Sequence, residues 1–107
     1  MTEQESLKII REMEFKDLDP LLHNQLRLSI MSLLVSVEFA EFNFLLEKTG
    51  ATRGNLSVQI NKLKEAGYIE VTKSFRNNYP LTTCKILYEG ILAFEKYVDA
   101  ISGYLKK

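Results

Sequence analysis

The sequence predicts a mainly helical α+β domain with one small β-hairpin. Of its 107 residues, 46% are hydrophobic and 26% are charged, a composition typical of one globular domain. Most apolar side chains recur every three or four residues, as they do on one face of an α-helix. From residue 68 to residue 88 the pattern changes to alternation of apolar and polar residues, which indicates β-strands.

A single domain spanning residues 1–107 is expected. Two prolines and five glycines leave no linker-like or low-complexity stretch. Packing alone can stabilise a chain of this length, because it buries roughly two-thirds of its unfolded surface. One cysteine, Cys84, and one histidine, His23, exclude an internal disulfide and the usual metal-ligand set. We therefore expect no metal, no cofactor and a reducing, cytoplasmic location.

Two helices are predicted in the first third of the chain. Residues 5–16 carry Leu7 and Ile10 at helical spacing among charges, which indicates a short amphipathic helix that is marginal unless it packs on something. Asp19 and Pro20 suit the N-cap and the first position of a stronger helix. The apolar face of that second helix is predicted to hold Leu22, Leu26, Ile30 and Leu33.

The middle of the chain predicts a helix-turn-helix. A brief helix near Phe42 ends at Gly50, the residue type most often found just past a helix C-terminus. Thr52 is a good N-cap for the next helix, which continues until Gly67. Two helices joined by a tight turn that contains glycine are typical of this motif. The buried stripe of the second helix is predicted to be Leu56, Ile60 and Leu63.

A hairpin and a last helix complete the predicted order. Apolar and polar residues alternate from Ile69 to Phe75, and a second β-prone run covers residues 82–88. Residues 76–80 are predicted to form the turn between them. Helical spacing returns from Gly90 onward. The apolar positions of this last helix are Ile91, Phe94, Val98, Ile101 and Leu105.

A helix-turn-helix followed directly by a two-stranded hairpin is the order of a winged helix-turn-helix, here with added N- and C-terminal helices. The residues also resemble a known family. Residues 52–69, most specifically Gly54-Asn55-Leu56-Ser57, look like the recognition helix and first wing strand of the small prokaryotic winged-helix transcriptional regulators related to MarR. The resemblance covers most of residues 18–100, and it implies a regulator that binds DNA as a dimer.

The side of the recognition helix opposite its buried stripe is predicted to bind double-stranded DNA. Asn and Gln pair with adenine, Ser bonds either base, an exposed Val contacts a thymine methyl, and Arg and Lys hold phosphates or guanine. The hairpin adds basic residues and hydrogen-bond donors near its tip. The predicted DNA-binding residues are Thr52, Arg53, Asn55, Ser57, Val58, Gln59, Asn61, Lys62 and Lys64 of the helix and Lys73, Arg76, Asn77, Asn78 and Tyr79 of the wing.

The charge of the chain is zero in sum but uneven along its length. Residues 1–50 carry five basic and nine acidic side chains, residues 51–85 six and two, and residues 86–107 three and three. The basic block coincides with the predicted reading helix and hairpin. That coincidence is expected of a surface that binds the DNA backbone.

The last helix predicts a homodimer. The apolar positions of this helix form one continuous seam along it. One small winged helix covers only part of a terminal helix, and Tyr97 and Tyr104 add apolar surface beside the seam. The alternative is that the seam packs on its own domain. Residues 1–17 and 89–107 are therefore predicted to be dimerisation helices, as the resemblance also implies. The predicted interface residues are Leu7, Ile10, Ile91, Phe94, Tyr97, Val98, Ile101, Tyr104 and Leu105.

The predicted function is a sequence-specific DNA-binding transcriptional regulator that acts as a homodimer, most simply as a repressor. The alternative is a winged-helix protein-protein interaction module that does not bind DNA. An enzyme is not expected, because no nucleophile lies beside a base and no phosphate-binding glycine loop is present. No membrane partner is expected, since the uncharged stretch at residues 28–37 is far too short to span a bilayer. Eleven Tyr and Phe residues are compatible with a small-molecule effector, but they do not indicate one.

Overall fold

The computed structural model describes residues 2–5 and 18–105. It confirms a mainly helical domain with an antiparallel sheet of order β1-β3-β2. Apart from Glu5, the predicted helix over residues 5–16, with Leu7 and Ile10, lies outside the described residues. The elements in chain order are α1 (Gln25–Leu34), β1 (Ala40–Glu41), α2 (Phe42–Thr49), α3 (Arg53–Glu65), β2 (Ile69–Arg76), β3 (Tyr79–Ile86) and α4 (Tyr88–Leu105).

Helix α1 begins later than the Asp19-Pro20 pair predicts. Its N-cap is Asn24, whose side chain accepts a hydrogen bond from the backbone N–H of Arg27 at 2.9 Å. The Asp19 carboxylate instead accepts from the backbone N–H of Leu21 and closes a separate turn around Pro20. Both residues use N-cap chemistry, but the extended backbone of Asn24, with φ −150° and ψ 127°, separates the turn from the helix.

The helix-turn-helix has the predicted caps. Gly50 is left-handed, with φ 70°, and its N–H donates to the Leu46 carbonyl. The Thr52 side chain accepts a hydrogen bond from the backbone N–H of Asn55 at 3.2 Å, which opens α3. Gly67, with φ 79°, follows the end of α3. These local interactions fix where α3 starts and stops.

The hairpin turn is tighter than predicted. Arg76 pairs with Tyr79 across a loop of only two residues, Asn77 and Asn78. Their φ angles are 52° and 68°, so both central positions are left-handed, as in the hairpin turn that matches strand twist. Asn tolerates this conformation better than most residues, because its short side chain can hydrogen-bond locally.

Tyr79 and Pro80, which were predicted to lie in the turn, belong to β3 instead. A proline lacks the N–H that a central strand needs and is confined to unpaired edges. That edge is available, because β1 pairs with β3 only at Thr83 and Cys84. Pro80 therefore sits where the outer edge of β3 has no neighbouring strand.

The core lies where α1, α2, α3 and the base of the sheet meet. Burial of these apolar side chains is the main favourable contribution to the stability of the domain. Among the described residues, no helix is long and apolar enough to cross a membrane. Among the described residues, the largest fully buried side chains are Leu22, Ile30, Met31, Leu34, Leu45, Leu56, Leu63, Ile69 and Cys84.

Candidate nucleic-acid interface

Helix α3 has one buried and one exposed face. Leu56, Ile60 and Leu63 are buried, as their spacing predicts, and α3 packs against α1 and β2. This packing fixes which side of the helix stays in contact with solvent. The predicted DNA-binding residues of the helix that are exposed are Thr52, Arg53, Asn55, Ser57, Val58, Asn61, Lys62 and Lys64.

Gln59 departs from the predicted set. Its side chain was expected on the exposed flank of α3, but only 9% of the residue is exposed. The reason is geometric, since Gln59 lies three residues after Leu56 and four before Leu63, at the edge of the buried stripe where α1 packs. Its carbonyl oxygen accepts from Arg27, and its amide nitrogen donates to Asn55 at 2.9 Å. The Gln59 amide is therefore used inside the domain.

Arg27 is a residue of this site that sequence reasoning missed. It lies in the first turn of α1, where the sequence shows only a charged residue between Leu26 and Leu28. Its Nη1 donates to Gln59 Oε1, 32 residues away in sequence. A partly buried arginine requires hydrogen-bond acceptors. In the sequence, the side-chain amide of Gln59 on the facing helix is the signal that could have indicated this partner.

The first residue of α3, Arg53, is held beside α2. Its guanidinium carbon lies 5.9 Å from the ring centroid of Phe42, and its Nη2 donates to Asn43 Oδ1 at 3.4 Å. The side chain remains exposed at the helix N-terminus, where free backbone N–H groups and the helix dipole favour an anion. This end of α3 is therefore suited to a phosphate.

The hairpin forms a wing that extends beyond the core. Ile69 and Phe75 are six residues apart in β2 and therefore lie on the same face of the strand. Ile69 at the base is buried, whereas Phe75 near the tip is 76% exposed. Phe75 was not in the predicted DNA-binding set. The side chain of Arg76 forms an ion pair with Glu41, which ties the wing to the start of α2. The predicted wing residues, all exposed, are Lys73, Arg76, Asn77, Asn78 and Tyr79.

Positive charge covers this surface. The two acidic residues in residues 51–85 are Glu65 and Glu70, against six basic ones. A surface that joins exposed amides and hydroxyls to positive charge can bind phosphates and base edges together. The basic residues exposed on α3 and the wing are Arg53, Lys62, Lys64, Lys73, Arg76 and Lys85.

Cys84 and His23 both make contacts within the fold. Cys84 is buried in β3, and desolvation raises the pKa of its thiol to about 11. Little reactive thiolate is therefore present near neutral pH. His23 Nδ1 and the Tyr97 hydroxyl lie 3.0 Å apart and share a hydrogen bond between the segment before α1 and helix α4.

The predicted dimer residues of α4 fall into two groups. Tyr97 is buried within its own domain, and four others are half-buried against the core. Val98 and Leu105 are exposed, at 42% and 79%. Leu7 and Ile10 lie outside the described residues. The four half-buried residues are Ile91, Phe94, Ile101 and Tyr104.

Comparisons with known proteins agree with this geometry. The family model described as a winged helix DNA-binding domain matches residues 26–105. An uncharacterized protein of Methanocaldococcus jannaschii is 40% identical over 75 residues, which are 70% of this chain and 82% of that protein. The structure of a transcriptional regulator homologue from Pyrococcus horikoshii OT3 is 25% identical, with a TM-score of 0.77 and 94% of both chains covered.

A more distant structure shares the fold alone. Bordetella bronchiseptica BpsR, whose DNA binding is regulated by 6-hydroxynicotinic acid, has a TM-score of 0.69 at 9% identity. The match covers 96% of this chain and 77% of that one. The order of helix-turn-helix and wing is therefore common to proteins of very different sequence.

Proposed function

This chain belongs to the winged helix DNA-binding domain family, and from that premise we propose that it is a sequence-specific transcriptional regulator that binds its operator as a homodimer. The resemblance to MarR-related regulators is confirmed at the level of the fold. The observation that carries the proposal is the exposed face of α3, which combines amide, hydroxyl and basic side chains beside a projecting basic wing.

Helix α3 is proposed to lie in the major groove, with its N-terminal half toward the bases. In helix-turn-helix proteins the second helix reads base edges with its first residues. Asn55, Val58 and Asn61 supply donors, acceptors and an apolar contact there, while Lys62 and Lys73 hold phosphates. The wing tip at Asn77 and Asn78 would contact the neighbouring backbone or the minor groove.

A second copy of the chain is proposed to cover α4. Phe94, Val98 and Ile101 line an apolar groove of about 230 Å³ between α1 and α4, which Leu28 closes on the α1 side. Leu105 continues the apolar surface toward the end of the helix. Two reading helices related by a two-fold axis would contact half-sites about 34 Å apart, so we expect a pseudo-palindromic operator.

The simplest mode of action is repression, because a dimer on its operator excludes other proteins from the same DNA. We propose a cytoplasmic location, where that DNA is accessible. The second candidate function is a protein-protein interaction module, for which the exposed Phe75 and Tyr79 of the wing would be the contact surface.

Binding to mixed-sequence DNA over a range of salt concentrations separates these two functions. We expect log affinity to fall steeply with log salt, with a slope of about −0.9 for each phosphate contact. Lys62→Ala and Lys73→Ala should each reduce the slope by about one, whereas Lys96→Ala on α4 should leave it unchanged. If the chain binds no DNA even at low salt, the regulator proposal is wrong and the interaction module is the remaining candidate.

A further inference from the structure

A chain of hydrogen bonds runs from the interior of the domain to the reading surface. The Arg27 guanidinium donates through Nε to the carbonyl of Leu21 and through Nη1 to Gln59 Oε1. Gln59 Nε2 donates in turn to Asn55 Oδ1 at 2.9 Å. Asn55 is exposed on the face of α3 that is proposed to meet DNA. The charge of Arg27 is thus connected to Asn55 through one intervening amide.

The direction of every bond in this chain follows from chemistry. A guanidinium has five N–H donors, has no acceptor and is always protonated in proteins. The end of the Gln59 amide that faces Arg27 must therefore be its oxygen, and the other end must donate. Asn55 can satisfy that donor only with its own oxygen, so its Nδ2 lies on the far side. Within residues 2–5 and 18–105, no acceptor is bonded to that Nδ2.

We propose that Arg27, acting through Gln59, fixes Asn55 as a hydrogen-bond donor toward DNA and thereby determines base preference at one position of the operator. This inference rests on the proposed function. Guanine presents N7 and O6 as acceptors in the major groove, thymine presents O4 and adenine presents N7. Cytosine presents an amino group there, which a donor cannot satisfy. Arg27 and Gln59 are positioning residues, since neither needs to touch the DNA.

The substitution Gln59→Glu tests the direction of the chain. A carboxylate keeps the contact with Arg27 but has no N–H to offer Asn55. Asn55 must then turn its amide, donate inward and present its oxygen to the DNA. An outward acceptor suits the amino groups of adenine and cytosine. The preference between cytosine and guanine or thymine should therefore invert at that one position, whereas a merely structural role for Gln59 predicts only weaker binding at every position.

The experiment is selection of bound sequences from random DNA. Asn55→Ala first identifies the position that Asn55 reads, as the one position where preference is lost. There the wild type should disfavour cytosine by roughly tenfold relative to guanine or thymine, and Gln59→Glu should favour cytosine over guanine or thymine by a similar factor. Adenine presents both an acceptor and an amino group and does not separate the two orientations. Gln59→Met, which can hold neither amide orientation, should lose the preference without inverting it. Ala66→Glu adds a carboxylate at the far end of α3 and should lower affinity without changing any preference.

Exchange of the Asn55 side-chain amide protons with water gives a second readout that needs no DNA. In the wild type these protons face solvent and should exchange rapidly. In Gln59→Glu they should bond the new carboxylate and exchange at least several-fold more slowly. The inference is wrong if Gln59→Glu disfavours cytosine where Asn55 reads, as the wild type does, or if the exchange rates are equal in two folded proteins. If the wild type selects no sequence at all, the proposed function fails and this inference fails with it.

Discussion

Gly90, in the first turn of α4, packs against the backbone of Tyr68 so closely that a Cβ there would lie 2.2 Å from the Tyr68 carbonyl oxygen. The same carbonyl accepts a hydrogen bond from the backbone N–H of Leu87 at 2.9 Å. The chain just after α3 is therefore in direct backbone contact with the start of α4. This contact holds the chain that follows the reading helix against the start of the helix proposed to form the dimer.

Gly90→Ala should destabilise the domain by about 2 to 3 kcal/mol, because the backbone of Tyr68 must move to admit a methyl group. Gly103→Ala is the matched control, since a Cβ at Gly103 in the same helix meets nothing within 4 Å. It should be neutral or stabilise by up to about 1 kcal/mol, because alanine is the better helix former. Urea unfolding measures both. Equal stabilities of the two variants would contradict the close packing.

Tyr68 also predicts a pH dependence of stability. Its hydroxyl donates to Asp19 Oδ2 at 2.6 Å, and burial followed by this hydrogen bond raises the pKa of Tyr68 from 10.0 to about 12. Because the folded protein holds this proton more tightly than the unfolded chain does, the contribution is complete below pH 10 and is lost as pH rises toward 12.

The variant Tyr68→Phe should lose about 1 kcal/mol of unfolding free energy at pH 8. It should then lose less further stability than the wild type between pH 10 and pH 12. Unfolding by urea at several alkaline pH values measures this difference. Tyr88→Phe, at a residue that is 70% exposed, is the control and should follow the wild type. Parallel decline of Tyr68→Phe and wild type would show that Tyr68 has no raised pKa.

The two-residue turn of the wing predicts that two small substitutions differ in their effect on stability. Asn78 has φ 68°, a conformation that costs most residues about 1 kcal/mol or more. Asn78→Ala should therefore lower the unfolding free energy by about 1 kcal/mol, whereas Asn78→Gly should keep it within about 0.5 kcal/mol. Thermal unfolding compares them. If alanine is tolerated as well as glycine, the turn is not left-handed at this position.

Sequence reasoning predicted well where local chemistry decides the structure. Gly50, Thr52 and Gly67 bound the helices of the helix-turn-helix because a left-handed glycine or a capping hydroxyl satisfies backbone groups within a few residues. The same reasoning failed for the start of α1, because Asp19 and Asn24 both offer N-cap chemistry five residues apart. Local capping preferences do not decide which of the two residues starts the helix.

The role of Gln59 was not predictable from its own helix. Its burial depends on where α1 packs, and its hydrogen bond depends on Arg27, which is 32 residues away. Periodicity placed Gln59 at the border between the two faces of α3, where a small rotation decides between solvent and interior. Long-range contacts decide such border positions, and the pattern of a single helix cannot determine them.

The dimer proposal predicts different effects of one charge on two sides of α4. Val98 and Leu92 are almost equally exposed, at 42% and 43%, but they are about 120° apart around the helix. Val98 lies in the apolar groove with Phe94 and Ile101, whereas Leu92 does not. Val98→Asp would bury an unpaired carboxylate between two copies, which costs several kcal/mol. Sedimentation should therefore show a monomer for Val98→Asp and a dimer for Leu92→Asp and wild type at micromolar concentration.

Because a monomer makes half the phosphate contacts, Val98→Asp should also show a shallower salt dependence of DNA binding. If both variants sediment as the wild type does, this face of α4 is not the interface, and a monomeric wild type would overturn the proposed homodimer.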